Sequence, residues 1–260
     1  MNIAEPEIWA GLRREAISEA ELEPVLSGHL YDLVIRHRGY PEALAYLIAA
    51  SLANQVFNVV ALSDFISDTI GQNPEIVTAS LYDLNAIAAR DPACDSALAP
   101  FLYYKGFKGL QAYRVAHALW QEDRGGVARL LQSRVADAFA MDIHPAARIG
   151  RGVFIDHGTG IVIGETSVVE DDVSILQSVT LGGTGKVSGD RHPKVRRGVM
   201  IGAGAKILGN IEIGEGSKVA AGSVVLEAVL PHTTVAGVPA RPVGKPSSDV
   251  PAFDMQQELE

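Results

Sequence analysis

From Ile143 onward an aliphatic residue returns every six positions, and nothing else in the 260-residue chain restricts its fold as tightly. Ile143, Ile149 and Ile155 form a first run. Ile163, Val169, Ile175 and Leu181 form a second, displaced by two residues. Val195, Ile201, Ile207, Ile213, Val219 and Val225 form a third. Small or β-branched residues stand four positions after many of these, as at Ala147, Val153, Thr159, Ser167, Ala205, Ser217 and Ser223. A fixed short period marks a solenoid. Six residues are too few for a helix pair and suit one short strand plus a turn. The aliphatic side chain then fills a narrow core, and the small residue lets the neighbouring wall approach. Three units close a triangular coil of about 18 residues, and about five such coils fit before Val243. No coil buries its apolar face alone, so the stack stands or falls as a whole.

The first 140 residues follow a different pattern. Glycine is sparse, while Ala, Leu, Glu and Arg are frequent, which favours helix. Helices are predicted over 41–52, opened by Pro41, and over 74–90, ended by Asp91-Pro92. Two more are predicted over 108–120 and 127–139, split by Gly125-Gly126. The reading is therefore α+β: an all-α domain over 1–140 and a triangular prism of hexapeptide repeats over 141–244. A Pro- and Ser-bearing, acidic tail follows over 245–260 and is expected to be flexible.

With 47% apolar and 20% charged residues, the chain has the composition of a packed soluble protein. A net charge of −9 argues against nucleic-acid binding. The single cysteine, Cys94, excludes an internal disulfide and a thiolate-rich zinc site. No signal peptide or membrane span is visible, so a cytoplasmic protein without membrane association is expected.

The six-residue register fails between Leu181 and Val195. The intervening polar, glycine-rich stretch cannot fill an aliphatic ladder, so 182–194 should leave the prism as a loop. Arg191 and His192 lie together at its end. A second constellation pairs Asp142 with Asp156-His157. Asp142 precedes His157 by slightly less than one coil, so the two can meet on adjoining coils. A carboxylate that fixes the tautomer of a histidine is the usual general-base arrangement.

The segments 142–166 (DIHPAARIGRGVFIDHGTGIVIGET), 174–186 (SILQSVTLGGTGK) and 189–210 (GDRHPKVRRGVMIGAGAKILGN) resemble the bacterial serine acetyltransferases, hexapeptide-repeat acyltransferases. So does 90–107 (RDPACDSALAPFLYYKGF) in the helical half. The resemblance implies a left-handed parallel β-helix and acetyl transfer from acetyl-CoA to L-serine, with acetyl-CoA as co-substrate and no metal. It implies that His157, oriented by Asp142, is the general base. Arg191 would hold the serine carboxylate, with His192 in support, and Asp91 and Asp156 would receive the ammonium group. Glu165 is a further candidate there. Since Asp91 lies in the helical half, that half or a neighbouring subunit would roof the pocket. For coenzyme A the positions carried over are Gly183, Thr184, Ala203, Gly204, Lys218, Thr233 and Lys245.

The resemblance also implies a homohexamer built from two trimers and feedback inhibition by L-cysteine at the serine site. Relatives often end in an isoleucine that enters O-acetylserine sulfhydrylase. This chain ends Gln256-Gln257-Glu258-Leu259-Glu260, so that partnership is in doubt. Rival readings are a hexapeptide O-acetyltransferase with another hydroxyl acceptor, a covalent acetyl-cysteine route through Cys94, a metal hydratase using His144, His157 and His192, and a purely structural scaffold.

Overall fold

The computed structural model describes residues 5–185 and 188–258. Lys186 in the loop and the final Leu259-Glu260, both used above, lie outside the described residues. The helical half comprises α1 (Glu5–Leu22), a 3₁₀ turn (Pro24–Leu26), α2 (Ser27–Leu30) running into a π turn (Tyr31–Ile35), α3 (Tyr40–Leu52) and α4 (Val59–Gln72). It continues through α5 (Glu75–Arg90), α6 (Leu98–Tyr103), α7 (Lys105–Gln121) and α8 (Gly125–Phe139). Pro41 opens α3 as predicted, and Asn58 caps α4 by accepting from the Val60 and Ala61 amides at 2.8 and 3.4 Å. Gly125 and Gly126 do not separate two helices but form the first turn of α8.

Beyond Ala140 the chain winds through three parallel sheets in turn. Among the described residues, the first sheet holds Met141–Ile143, Ile161–Ile163, Thr180–Gly182, Lys206–Leu208 and Val224–Val225. The second holds Arg148–Ile149, Val168–Val169, Lys194–Val195 and Glu212–Ile213. The third holds Phe154–Ile155, Ser174–Ile175, Met200–Ile201, Lys218–Val219 and Thr234–Gly237, closed by the antiparallel strand Ala240–Gly244. The result is a parallel β-solenoid of about five turns. Nearly every predicted ladder residue, from Ile143 to Val225, is buried. Stacking aligns them: Ile163 lies over Leu181 and Ile207 over Val225.

The two-residue displacement between the first and second runs has a structural cause. Met141 pairs with Ile161, twenty residues on, whereas Met200 pairs with Lys218, eighteen on. The extra pair of residues sits in the corner 156–160, between the third and first sheets. Thr159 is therefore exposed rather than tucked into the wall as expected. The second irregularity is the predicted loop, which leaves between Thr180–Gly182 and Lys194–Val195.

A buried ionic joint fastens the two halves. Asp83 of α5 is fully buried. Its Oδ2 accepts from Arg114 Nη2 and Nε at 2.7 and 3.0 Å and from Gln111 Nε2 at 2.9 Å, both partners lying on α7. Its Oδ1 accepts from the Val153 amide at 2.9 Å, and Arg114 donates to the Ile149 and Gly150 carbonyls at 3.2 and 2.6 Å. Burial pushes the Asp83 carboxyl up, while Arg114 opposes that rise.

The expectation of a loose tail is corrected. Residues 251–254 form a short helix, α9 (Pro251–Asp254), with Pro251 and Ala252 buried. The Ala252 amide donates to the Gly198 carbonyl at 3.3 Å, and its own carbonyl accepts from Ser174 Oγ at 2.8 Å. Phe253 lies over the Arg90 guanidinium at 4.5 Å. Burying small apolar groups against the prism gives this segment a fixed seat that its polar composition concealed.

Candidate active site

The enlarged corner presents His157. Its backbone is left-handed, with φ +57°, and its side chain is 69% exposed. That conformation costs a non-glycine residue about 1–2 kcal/mol and persists only where the surroundings dictate it. Here the Asp156 amide bonds to Ile175 O at 2.9 Å, and the Gly158 amide to Asp156 O at 2.6 Å. The start of α7 presses against the same corner. A β-carbon at Gly106 would collide with the Ile155 carbonyl, so glycine is required for this approach. The sequence reading began this helix at Lys108. It begins at Lys105, because the low helix propensity of Gly106 conceals a packing requirement. Lys105 Nζ then donates to Thr159 Oγ1.

Asp91 arrives at this corner as the residue that follows α5. Arg90, just before it, is anchored on the prism by donating to Ser174 Oγ at 3.1 Å and pairing with Asp172 at 3.4 Å. Asp91 Oδ1 accepts from the Ala93 amide at 2.9 Å. Burial, followed by the nearby Asp91 carboxylate, pushes the Tyr104 hydroxyl up to about 12. Burial raises Asp156 above the ordinary carboxylate range; the nearby Asp91 charge adds to this and His157 opposes it. Asp156 Oδ1 lies 3.7 Å from His157 Nε2. Tyr104 was not anticipated, since one tyrosine among several carries no distinctive signal.

The opposite edge of the first sheet, where the loop returns, carries Arg191 and His192. Arg191 Nη2 donates to Glu165 Oε2 at 2.8 Å, and Nη1 to Gly189 O at 3.1 Å. That contact holds Glu165 below its usual range. His192 is buried, and burial followed by the Arg191 charge lowers its pKa. His144 lies at the same edge, edge-on to Trp120 at 5.1 Å, its pKa also lowered by burial.

Within one chain, therefore, the expected residues fall into two groups. Asp91, Asp156 and His157 share one corner; Glu165, Arg191 and His192 share another. A three-residue strand, about 10 Å, separates the corners. The coenzyme positions divide the same way. Ala203 and Gly204 continue the His157 corner, whereas Gly183 and Thr184 begin the loop. Thr233 Oγ1 is turned onto Pro231 O at 3.2 Å, and Lys245 is exposed beyond the last strand. Lys218 is buried and donates to the Glu258 carbonyl, so the docked tail occupies its ammonium group.

Within one chain no hydrogen bond joins Asp142 to His157. Asp142 points outward from the Met141–Ile143 strand and accepts from Gln132 Nε2 at 2.7 Å, while the ion pair of His157 is with Asp156. The coil is longer here than the repeat suggests, which moves His157 round the corner. Cys94 suits no nucleophilic role, because its thiol donates to Ser96 O at 3.1 Å and burial raises its pKa. Among the described residues, no three or more His, Cys, Asp or Glu side chains are placed to hold a metal ion.

Residues 8–112 match the family "Serine acetyltransferase, N-terminal", and 192–227 match "Bacterial transferase hexapeptide (six repeats)". The serine acetyltransferase of Salmonella typhimurium is 54% identical over 252 residues, covering 97% of this chain and 92% of that protein. The crystal structure of serine acetyltransferase from Vibrio cholerae superposes with a TM-score of 0.97 at 53% identity, covering 98% of this chain and 99% of that one. A serine acetyltransferase in complex with cysteine gives 0.96 at 50% identity, covering 99% and 100%. The Brucella abortus enzyme in complex with coenzyme A gives 0.90 at 50% identity, covering 92% and 96%. With its helical half and its solenoid both matched by these relatives, the chain belongs to the serine acetyltransferase family.

Proposed function

We propose that the chain transfers an acetyl group from acetyl-coenzyme A to the hydroxyl of L-serine, at a site completed between two copies of the chain. The observation that carries this reading is the division of charge between the corners. One corner offers two carboxylates and an exposed imidazole; the other offers a guanidinium. An amino-acid zwitterion needs both signs at short range, and a molecule the size of serine does not span the strand between them. A second chain that brings its Arg191 corner against the His157 corner of the first supplies what is missing. Threefold packing of the prism faces achieves this in a closed ring, and pairing of two such rings makes a hexamer.

In the assembled site, Arg191 receives the serine carboxylate by charge-assisted hydrogen bonds. Asp91 and Asp156 receive its ammonium. His157 takes the hydroxyl proton as that oxygen attacks the thioester carbonyl, then passes the proton to the departing thiolate. O-acetyl-L-serine and coenzyme A result, in balance. The glycines and small residues of both corners leave room for the pantetheine arm. Cysteine has the same zwitterion and occupies the same pocket as an inhibitor. Among the described residues no helix is long and apolar enough to cross a membrane.

The test is release of free coenzyme A by the purified protein, comparing L-serine with other hydroxyl acceptors. Serine is expected to be preferred, with cysteine competing against it. A preference for a sugar acceptor, or cysteine inhibition that serine fails to relieve, overturns the reading. A pH dependence also follows. Only ionised Asp156 receives the ammonium, and its pKa is raised. The affinity for serine, measured as a dissociation constant so that the proton His157 takes up in turnover does not enter, should therefore weaken on acidification sooner than an ordinary exposed carboxylate would dictate. In Asp156→Asn that acidic limb should move to lower pH, on a weaker affinity overall. An unmoved limb separates Asp156 from the binding step.

A further inference from the structure

Thr166 was given no role by the sequence, yet five hydrogen bonds bind it to the end of the loop. Its Oγ1 accepts from the Arg191 amide at 3.0 Å and from the His192 amide at 3.1 Å. Its carbonyl accepts from Lys194 Nζ at 2.9 Å. Its own amide lies 3.1 Å from His192 Nδ1, and its Oγ1 2.8 Å from the same nitrogen. A backbone N–H only donates, so Nδ1 must offer a lone pair. The neutral ring then carries its proton on Nε2, to which no hydrogen bond is made among the described residues. The ring lies flat against Gly164, where any β-carbon would collide with it.

The surroundings favour the neutral form. Arg191 and Lys194 bring positive charge to the ring, His144 adds to their effect, and Glu165 is the opposing carboxylate, already committed to Arg191. We propose that Thr166 is a positioning residue that holds His192 as a neutral imidazole protonated on Nε2, so that His192 donates a hydrogen bond into the site and leaves proton abstraction to His157 alone. This rests on the functional reading above and gives its two histidines different work. A fixed N–H donor is suited to an anionic oxygen, either the carboxylate of the acceptor or the oxyanion that forms as the hydroxyl adds to the thioester. It is unsuited to removing a proton, since its one free nitrogen lone pair is already occupied.

The experiment is a double-mutant cycle on the full chain, with coenzyme A release as readout. Thr166→Val keeps the shape and the amide but loses the hydroxyl. It is expected to lower turnover with serine roughly 10²-fold, the scale of a small misplacement in an active site, with little change in KM for acetyl-CoA. Thr166→Ser, which restores the hydroxyl, should recover most of that loss. Combined with His192→Gln, the valine substitution should cost far less than it does alone, because the share it exerts through the ring is already lost and only the share exerted through the Arg191 amide remains. Additive losses, a Thr166→Ser enzyme as impaired as Thr166→Val, or a fully active Thr166→Val each overturn the proposal. Should Thr166→Val fail to fold, Gly164→Ala takes its place in the cycle, displacing the ring from its other face with the same expected non-additivity. A wild-type protein inactive with serine instead refutes the functional reading, so the two failures are told apart.

Discussion

Replacing His157 with alanine is expected to lower turnover about 10²–10⁴-fold, the usual contribution of a positioned general base. The KM for acetyl-CoA and the thermal midpoint should stay near those of the wild type. The reason is structural. With its side chain 69% exposed, His157 fills no core space. The corner it occupies is held by backbone hydrogen bonds and by the α7 contact at Gly106, both of which survive truncation. Alanine also tolerates the left-handed backbone no worse than histidine to within about 1 kcal/mol. Coenzyme A release under saturating substrates measures the effect. Turnover within a few-fold of the wild type removes His157 from the base role.

Asp83→Ala is expected to destabilise the fold by about 3–5 kcal/mol, the scale for breaking a buried ion pair by removing one partner. Arg114, only 8% exposed, would keep its charge with no carboxylate to meet it. The Val153 amide and Gln111 Nε2 would lose their acceptor as well. Chemical denaturation measures the loss. A functional effect should accompany it. Asp83 ties α5 to the first coil, and α5 ends at the residue before Asp91, so a slackened joint loosens the ammonium-binding acid and raises KM for serine. An unfolding free energy within about 1 kcal/mol of wild type would show that α5 is held by its apolar contacts alone.

How far the sequence reaches is clear from particular residues. The ladder from Ile143 to Val225 needed no structure, because only a triangular coil buries a side chain at every sixth position. The loop was legible for the complementary reason: a polar run cannot occupy that ladder. Predicted helices were found where apolar period and capping agreed, as at Pro41. They were misjudged where glycine serves packing, as at Gly106. The candidate residues were named from motif and resemblance, but their grouping was not. Residue counting places Asp142 beside His157, and two extra residues at one corner set them apart within a single chain, where Asp142 meets Gln132.

By itself, then, the sequence determined the two-part architecture, the stacking period and the chemical types available for a zwitterionic acceptor. These depend on local rules, namely periodicity, turn chemistry and side-chain charge. Tertiary structure alone decided that the acids and His157 stand on one corner of the prism and Arg191 on another. It alone seated the tail against Arg90 and Lys218, and it alone placed Thr166 beneath His192. Such facts depend on where coils of unequal length bring residues far apart in the chain, and no local pattern encodes that distance.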